Sequence, residues 1–259
     1  MLKVVLVLLL LVALAPTAHS DVKFVKGDKT KPNVAEWSHL AITGKITKAD
    51  VEQLRPLIVE ATVESNLRVA GALAPQVMLH SLGGDVSAAI RIGRTLRALN
   101  AVVFVGLNAE CSSACVLILA AGAQRDVFNG ARVGLHRPYF EDKEFVGLNP
   151  SQARERYAVL EHGVRAYLKE MAIPDALFER MRAIPSRKIV YLSTKDLSAL
   201  GLVGTDPATE ELQRAKEKQY LGEDLAKYLD EIRNCADAGT PFSVCQERAQ
   251  RSFKKRSAN

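Results

Sequence analysis

Two adjacent serines and a histidine have the residue types and positions needed for acyl-transfer chemistry. Ser112 and Ser113 come directly before an apolar run at 114–121, and His136 ends a later apolar stretch just before Pro138. A neutral imidazole can take the proton of a serine hydroxyl and return it to a leaving group. The ordinary alternatives are that the serine only caps a helix and that the histidine belongs to the core or the surface.

A pair of glycines could supply the amides that such chemistry needs. Gly83 and Gly84 follow the apolar run at 76–80 and precede a predicted helix. Glycines at a strand-to-helix turn let backbone N–H groups face the crevice at the carboxyl end of the strand, where open α/β sheets bind ligands. The positive end of a helix favours developing negative charge there. A turn of this kind can also be purely structural.

These residues have to be positioned by the elements around them. Apolar runs and helical spacing alternate along the chain, with a polar loop at 108–110, and predict a mainly parallel α/β sheet. The predicted strands are 40–44, 76–80, 101–105 and 131–136. The predicted helices are 48–64, 86–99, 113–121, 151–171 and 174–182, followed by charged helical stretches at 210–229 and 246–256. The apolar run at 114–121 must be buried, so we expect the hydroxyl-bearing first turn of its helix to lie deep in the fold.

Taken in order, the motifs resemble those of the Clp-type serine peptidases between residues 40 and 205. The matching segments are LAITGKI at 40–46, SLGG at 81–84, SSA at 112–114, AG at 121–122, ARVGLHRP at 131–138, YLS at 191–193 and GLV at 201–203. The resemblance implies a ClpP/crotonase-like fold of repeated ββα units with a mainly parallel sheet. The helical spacing past residue 206 lies outside the resemblance and predicts a C-terminal helical extension. The resemblance also implies that Ser113 is the nucleophile, that His136 is the base, and that the amides of Gly84 and Ala114 form the oxyanion hole.

The third catalytic group is the main departure from that family. Its triad aspartate aligns with Ile189, and an isoleucine cannot orient an imidazole or stabilise its cation. Three outcomes stay open: another polar residue serves, the enzyme is a Ser–His dyad, or catalysis is lost. The candidate replacements are the acids Asp142, Glu141 and Asp196 and the hydroxyl of Ser186.

The N-terminus and the cysteines indicate an exported protein. Lys3, an apolar run at 4–14 and a small-residue end at 18–20 predict a signal peptide at 1–20, the alternative being an uncleaved anchor. We therefore expect a periplasmic or secreted chain with a ClpP/crotonase-like domain at 21–206 and a helical extension at 207–259. Four cysteines in such a chain suggest disulfides. Cys235 and Cys245 are predicted to pair, whereas Cys111 and Cys115 are either bridged or free and buried.

Composition excludes several function classes. A net charge of +6, spread along the chain, does not indicate nucleic-acid binding. The sequence has no zinc-spaced ligand pairs and no glycine-rich phosphate loop, so we expect neither a metal nor a cofactor. The basic segment at 254–256 is interpreted as a solvated tail, with a partner or membrane-surface contact as the alternative.

The leading hypothesis is an exported serine peptidase that cleaves peptides or unfolded segments without ATP. The resemblance implies a homo-oligomer, and we expect no stable membrane anchor after signal cleavage. A non-catalytic peptide-binding protein of the same fold is the alternative, motivated by Ile189. Two other classes fit less well. Ser–Lys chemistry of the signal-peptide-peptidase kind lacks a lysine placed by a motif, and coenzyme A for a crotonase-like reaction is not expected outside the cytoplasm.

Overall fold

A computed structural model of the chain describes residues 21–27, 38–65, 67–69, 72–139 and 146–257. The predicted signal peptide lies outside the described residues, and so do the candidate acids Glu141 and Asp142.

The described residues form an alternating series of strands and helices. The strands are β1 (Asp21–Val25), β2 (His39–Thr43), β3 (Arg68–Val69), β4 (Ala72–Leu73), β5 (Gln76–His80), β6 (Val102–Val105), β7 (Glu110–Ser112), β8 (Gln124–Val127), β9 (Arg132–Leu135), β10 (Val190–Tyr191) and β11 (Gly204–Thr205). The helices are α1 (Lys48–Ser65), α2 (Val86–Ala98), α3 (Cys115–Ala120), α4 (Pro150–Glu170), α5 (Asp175–Ala183), α6 (Thr194–Ala199), α7 (Pro207–Leu221), α8 (Glu223–Asp237) and α9 (Phe242–Ser257).

The main sheet has six strands in the order β1-β2-β5-β6-β8-β11. Its four central strands, β2, β5, β6 and β8, run parallel, while β1 and β11 pair antiparallel at the two edges. A second sheet has the order β10-β9-β7, with β7 parallel to β9, and an isolated bridge from Ser81 to Cys111 links the two sheets. The predicted mainly parallel α/β architecture is confirmed.

Helix α3 forms the centre of the core. All six of its residues are buried, because helices cover the side of α3 that does not face the sheets. The buried Tyr167 of α4 donates its hydroxyl hydrogen to the carbonyl of Leu117, with 2.8 Å between the oxygens. Gly93 of α2 permits this, since a Cβ there would lie 1.9 Å from the tyrosine hydroxyl. The turn at Ser113 thus adjoins a helix that packs against the sheets, α2 and Tyr167 of α4.

Several predicted boundaries are wrong in ways that matter for the site. The polar loop at 108–110 includes the first residue of β7, and the helix predicted from Ser113 begins two residues later, at Cys115. The helical stretch at 210–229 is two helices that meet at Gly222, whose φ of +81° suits glycine.

Both cysteine pairs form disulfides, with Cα–Cα distances of 5.3 Å for Cys111–Cys115 and 5.5 Å for Cys235–Cys245. The pairing of Cys235 with Cys245 is confirmed, and the alternative that Cys111 and Cys115 are free is wrong. The second bridge joins α8 to α9, which share a small core of their own around Ile232 and Ala249. Within the described ranges, no helix is both long and apolar enough to span a membrane.

Candidate active site

A cavity of about 760 Å³ opens at the carboxyl ends of the parallel strands. Residues that follow β2, β5, β7 and β9 line it, as expected for a ligand site in an open α/β sheet. Its lining includes Ser81, Gly83, Gly84, Glu110, Ser113, Ala114, His136, Tyr139, Ser186 and Ile189. They include all four residues that the sequence predicts as nucleophile, base and oxyanion hole: Ser113, His136, Gly84 and Ala114.

Ser113 lies on a sharp turn between a strand and a helix. Its φ of +58° is in the left-handed region, which costs a residue with a side chain about 1–2 kcal/mol. Strand β7 ends just before it and α3 begins two residues after it. Its N–H donates to the carbonyl of Gly134 at 3.1 Å, so the neighbouring strand β9 fixes the turn. The Cys111–Cys115 bridge spans the same turn. The turn therefore presents the hydroxyl to the cavity in place of the first helical turn that the sequence predicts.

The glycine pair lies directly against this turn. A Cβ on Gly83 would be 2.5 Å from the Cβ of Ser113 and 2.9 Å from the amide nitrogen of Ala114. The buried Ser81 holds the glycine pair in place, because its hydroxyl oxygen accepts from the N–H of Gly83 at 3.1 Å. The same hydroxyl donates to the carbonyl of Gly44 at 2.5 Å. Gly83 is thus a packing requirement of the site.

Two backbone amides remain available for a ligand. Gly84 pairs with Ile46 through its neighbours: the N–H of Ile46 donates to Gly83, and the N–H of Asp85 donates to Ile46. Among the described residues, neither the N–H of Gly84 nor that of Ala114 donates to another protein group. Both residues line the cavity beside Ser113. Two such donors can hold an oxygen on which negative charge develops.

His136 is 5% exposed and reaches the cavity from the end of β9. Its Nδ1 atom lies 2.8 Å from the carbonyl oxygen of Arg137. The ring of Tyr139 packs beside it, with 5.4 Å between ring centroids. In the part of the chain that the structure describes, no hydrogen bond joins the His136 ring to the Ser113 hydroxyl, and catalytic hydrogen bonds often form only when substrate binds.

The candidates for a third group fall in different places. Ser186 lines the cavity, and so does Ile189, which is 40% exposed. Asp196 is not among the cavity-lining residues. It closes a capping box at the start of α6, where it accepts from the N–H and the hydroxyl of Ser193. These hydrogen bonds lower the pKa of the Asp196 carboxyl.

Glu110 is a site residue that the sequence analysis does not identify. It is buried, lines the cavity, and accepts hydrogen bonds at one carboxylate oxygen from the hydroxyls of Ser112 and Tyr191, both at 2.8 Å. Its other oxygen accepts from Arg132 at 2.6 Å. Burial alone would raise the pKa of the Glu110 carboxyl, but these three partners outweigh burial and lower it.

Gly134 of β9 leaves the space through which this network passes. A Cβ there would be 2.4 Å from the Ser112 hydroxyl and 3.2 Å from the Tyr191 ring. Glu110 therefore connects β7, β9 and β10 beneath the turn at Ser113. The sequence signal for Glu110 is weak, because a charged residue in a polar stretch is equally typical of a solvent-exposed loop.

Comparisons with known proteins give structural neighbours only. No family model matches the chain, and no curated protein matches it. One similar solved structure is a mutant of the 1510-N membrane-bound stomatin-specific protease, with 18% identity over 63% of this chain and 75% of that one, at a TM-score of 0.45. Another is a mutant of ClpP1 from Listeria monocytogenes, with 17% identity over 63% of this chain and 86% of that one, at a TM-score of 0.47.

Proposed function

We propose that the chain is an exported serine peptidase that cleaves peptides or unfolded segments without ATP. Ser113 attacks the scissile carbonyl, and His136 takes its proton and delivers it to the leaving amine. The N–H groups of Gly84 and Ala114 stabilise the oxyanion of the tetrahedral intermediate. Water then hydrolyses the acyl-enzyme with His136 as the base.

One observation carries this proposal. A serine in the left-handed region, a buried histidine and two backbone N–H groups that donate to no other described residue border one cavity at the carboxyl end of a parallel sheet. A backbone strained at a polar residue is common at functional sites, where the surrounding structure maintains it. Here the Gly134 carbonyl and the Cys111–Cys115 bridge maintain it.

Export is the second part of the proposal. Two disulfides favour an oxidising compartment. The predicted signal peptide at 1–20 would direct the chain out of the cytoplasm. We further propose the division into a peptidase domain at 21–206 and a helical extension at 207–259, and a homo-oligomeric assembly. Neither a metal nor a cofactor takes part in the proposed steps.

Replacement of the nucleophile tests the chemistry. We expect Ser113→Ala to abolish cleavage of an unstructured peptide and labelling by a fluorophosphonate probe, because both require its Oγ. The matched control is Ser112→Ala, which removes the adjacent buried hydroxyl and should leave the label on Ser113. Equal cleavage by wild type and Ser113→Ala would contradict the proposal.

A non-catalytic peptide-binding protein is the second candidate, favoured by the isoleucine at position 189 on the cavity wall. The same probe separates the two functions. A folded wild-type protein that binds peptides but takes up no fluorophosphonate would support the binding function and reject the peptidase.

A further inference from the structure

We infer that the backbone carbonyl of Arg137, held by the end of helix α5, orients the ring of His136 in place of a triad carboxylate. This inference deepens the proposed function and rests on it, since it assigns a positioning residue to the same base. Arg137 acts through His136 and does not itself meet the substrate.

The chemistry of the contact fixes which ring nitrogen carries the proton. A carbonyl oxygen can only accept a hydrogen bond, so at 2.8 Å the Nδ1 atom of His136 must be the donor. In the neutral ring, Nε2 then has the free lone pair that a general base needs. In a triad, the aspartate does the same by accepting from Nδ1–H.

Arg137 is fixed to the end of α5 by three hydrogen bonds. Its guanidinium donates from Nε at 2.8 Å and from Nη2 at 2.6 Å to the carbonyl of Arg182, in the last turn of the helix. Its N–H donates to the carbonyl of Ile184, the C-cap residue, at 3.0 Å. The last carbonyls of a helix lack partners within the helix and carry partial negative charge, so a cationic fork binds well there.

This arrangement accounts for the isoleucine at the expected acid position. A carbonyl selects the correct tautomer, although it lacks the charge with which a carboxylate stabilises the imidazolium. Loss of the correct tautomer lowers kcat by about 10⁴ when asparagine replaces the aspartate of a triad protease. A fixed carbonyl avoids that loss. Among the described residues, Ser186 is the only candidate third group that lines the cavity, and no hydrogen bond joins it to His136.

The tautomer of His136 can be measured independently of turnover. In wild-type protein labelled with ¹⁵N-histidine, we expect NMR of the neutral His136 ring to show the proton on Nδ1 and none on Nε2. The Ser113→Ala variant should give the same result, because the carbonyl does not depend on the nucleophile. A proton on Nε2 of the neutral ring in the folded wild-type protein would overturn the inference and would leave the proposed nucleophile untouched.

Substitution of the arginine tests what holds the carbonyl. We expect Arg137→Ala to move His136 towards the Nε2–H tautomer and to lower kcat by up to about 100-fold, the cost of misplacing a catalytic group by about 1 Å. KM should stay the same, and Arg137→Lys should recover part of kcat because its ammonium group can still donate to the Arg182 carbonyl. The control is Arg180→Ala, at an exposed arginine of α5, which should change neither the tautomer of His136 nor kcat.

An Arg137→Ala protein with the wild-type tautomer and kcat would reject the role of the arginine. Should that variant fail to fold, the wild-type tautomer still decides whether the carbonyl orients the ring. If Ser113→Ala cleaves as well as wild type, the peptidase function fails and the tautomer result stands separately.

Discussion

Gly83 has no room for a side chain, because the turn at Ser113 lies against its Cα. Its φ is +98°, and a Cβ would be 2.5 Å from that of Ser113. We expect Gly83→Ala to push Ser113 and the Ala114 amide apart and to lower kcat about 10- to 100-fold. The strained backbone should also cost about 1–3 kcal/mol of unfolding free energy. Peptide cleavage and urea unfolding measure the two effects.

The matched control is a glycine in an open position. Gly163 lies in the middle of α4, and a Cβ there would have nothing within 4 Å. Gly163→Ala should leave kcat unchanged and stabilise the protein by about 0.5–1 kcal/mol, since alanine favours the helix. Wild-type kcat in Gly83→Ala would show that the turn tolerates displacement and would contradict the assigned geometry.

Single residues show where sequence reasoning succeeds and fails. Ser113, His136 and Gly84 are predicted because ordered motifs mark them, and the structure brings them to one cavity. Glu110 is missed because its partners Arg132 and Tyr191 are distant in sequence and meet it only through strand pairing. The orienting carbonyl of Arg137 is missed for a different reason: a backbone atom has no residue type for a motif to reveal.

At the scale of elements, the junction of β7 and α3 determines how Ser113 is presented. The Cys111–Cys115 bridge ties the strand to the first residue of the helix across the turn. We expect the double variant Cys111→Ala/Cys115→Ala to lower kcat by about tenfold or more, because the left-handed serine then loses one of its restraints. Cleavage of the same unstructured peptide measures this, and reduction of the wild-type protein should have a similar effect.

The second disulfide provides the comparison. Cys235 and Cys245 join α8 to α9 around a separate small core. Their replacement by alanine should lower unfolding stability by about 2–4 kcal/mol, the typical contribution of a disulfide, without changing kcat. Equal kcat losses in the two double variants would mean that the disulfides act on global stability only.

Elements with one strong pattern are predicted well, and those decided by tertiary contacts are not. Strand β6 is a continuous apolar run covered on both faces, and α2 has a clear apolar stripe, so each is predicted to within one residue. The short strands β7 and β10 have too few residues for a period and form only because β9 lies between them. The start of α3 is predicted two residues early, since Ser113 has helical neighbours but takes a left-handed φ.

For the whole molecule, the alternation of strands and helices predicts the parallel sheet, because parallel strands need crossover helices. The two antiparallel edges are not predictable in the same way. Strand β1 pairs with β2, from which residues 26–38 separate it, so no short hairpin turn marks the pairing. Strand β11 is only two residues long. The position of the start of α7 beside the sheet likewise depends on a cluster of charges that sequence spacing does not reveal.

That cluster is centred on Asp206, where the sheet ends and α7 begins. Its carboxylate accepts from Arg97 at 2.9 Å and from the N–H and hydroxyl of Thr209 at 3.0 and 2.8 Å. Arg125 is buried nearby, and burial together with the charge of Arg97 lowers its pKa to about 10, although Asp206 opposes this. Asp206 thus supplies the negative charge that two poorly exposed guanidinium groups need.

We expect Asp206→Asn to lower the free energy of unfolding by about 3–5 kcal/mol, because it leaves buried positive charge uncompensated. Burial alone would raise the pKa of Asp206, but Thr209 and Arg97 hold it below its ordinary value of 3.8. The carboxylate therefore stabilises the fold above that value, and its contribution disappears as the pH falls through the lowered pKa. Urea unfolding should show wild type and variant converging in acid. Asp175→Asn, which breaks the exposed pair with Arg165, should have a much smaller effect, and equal losses in the two variants would reject the assignment.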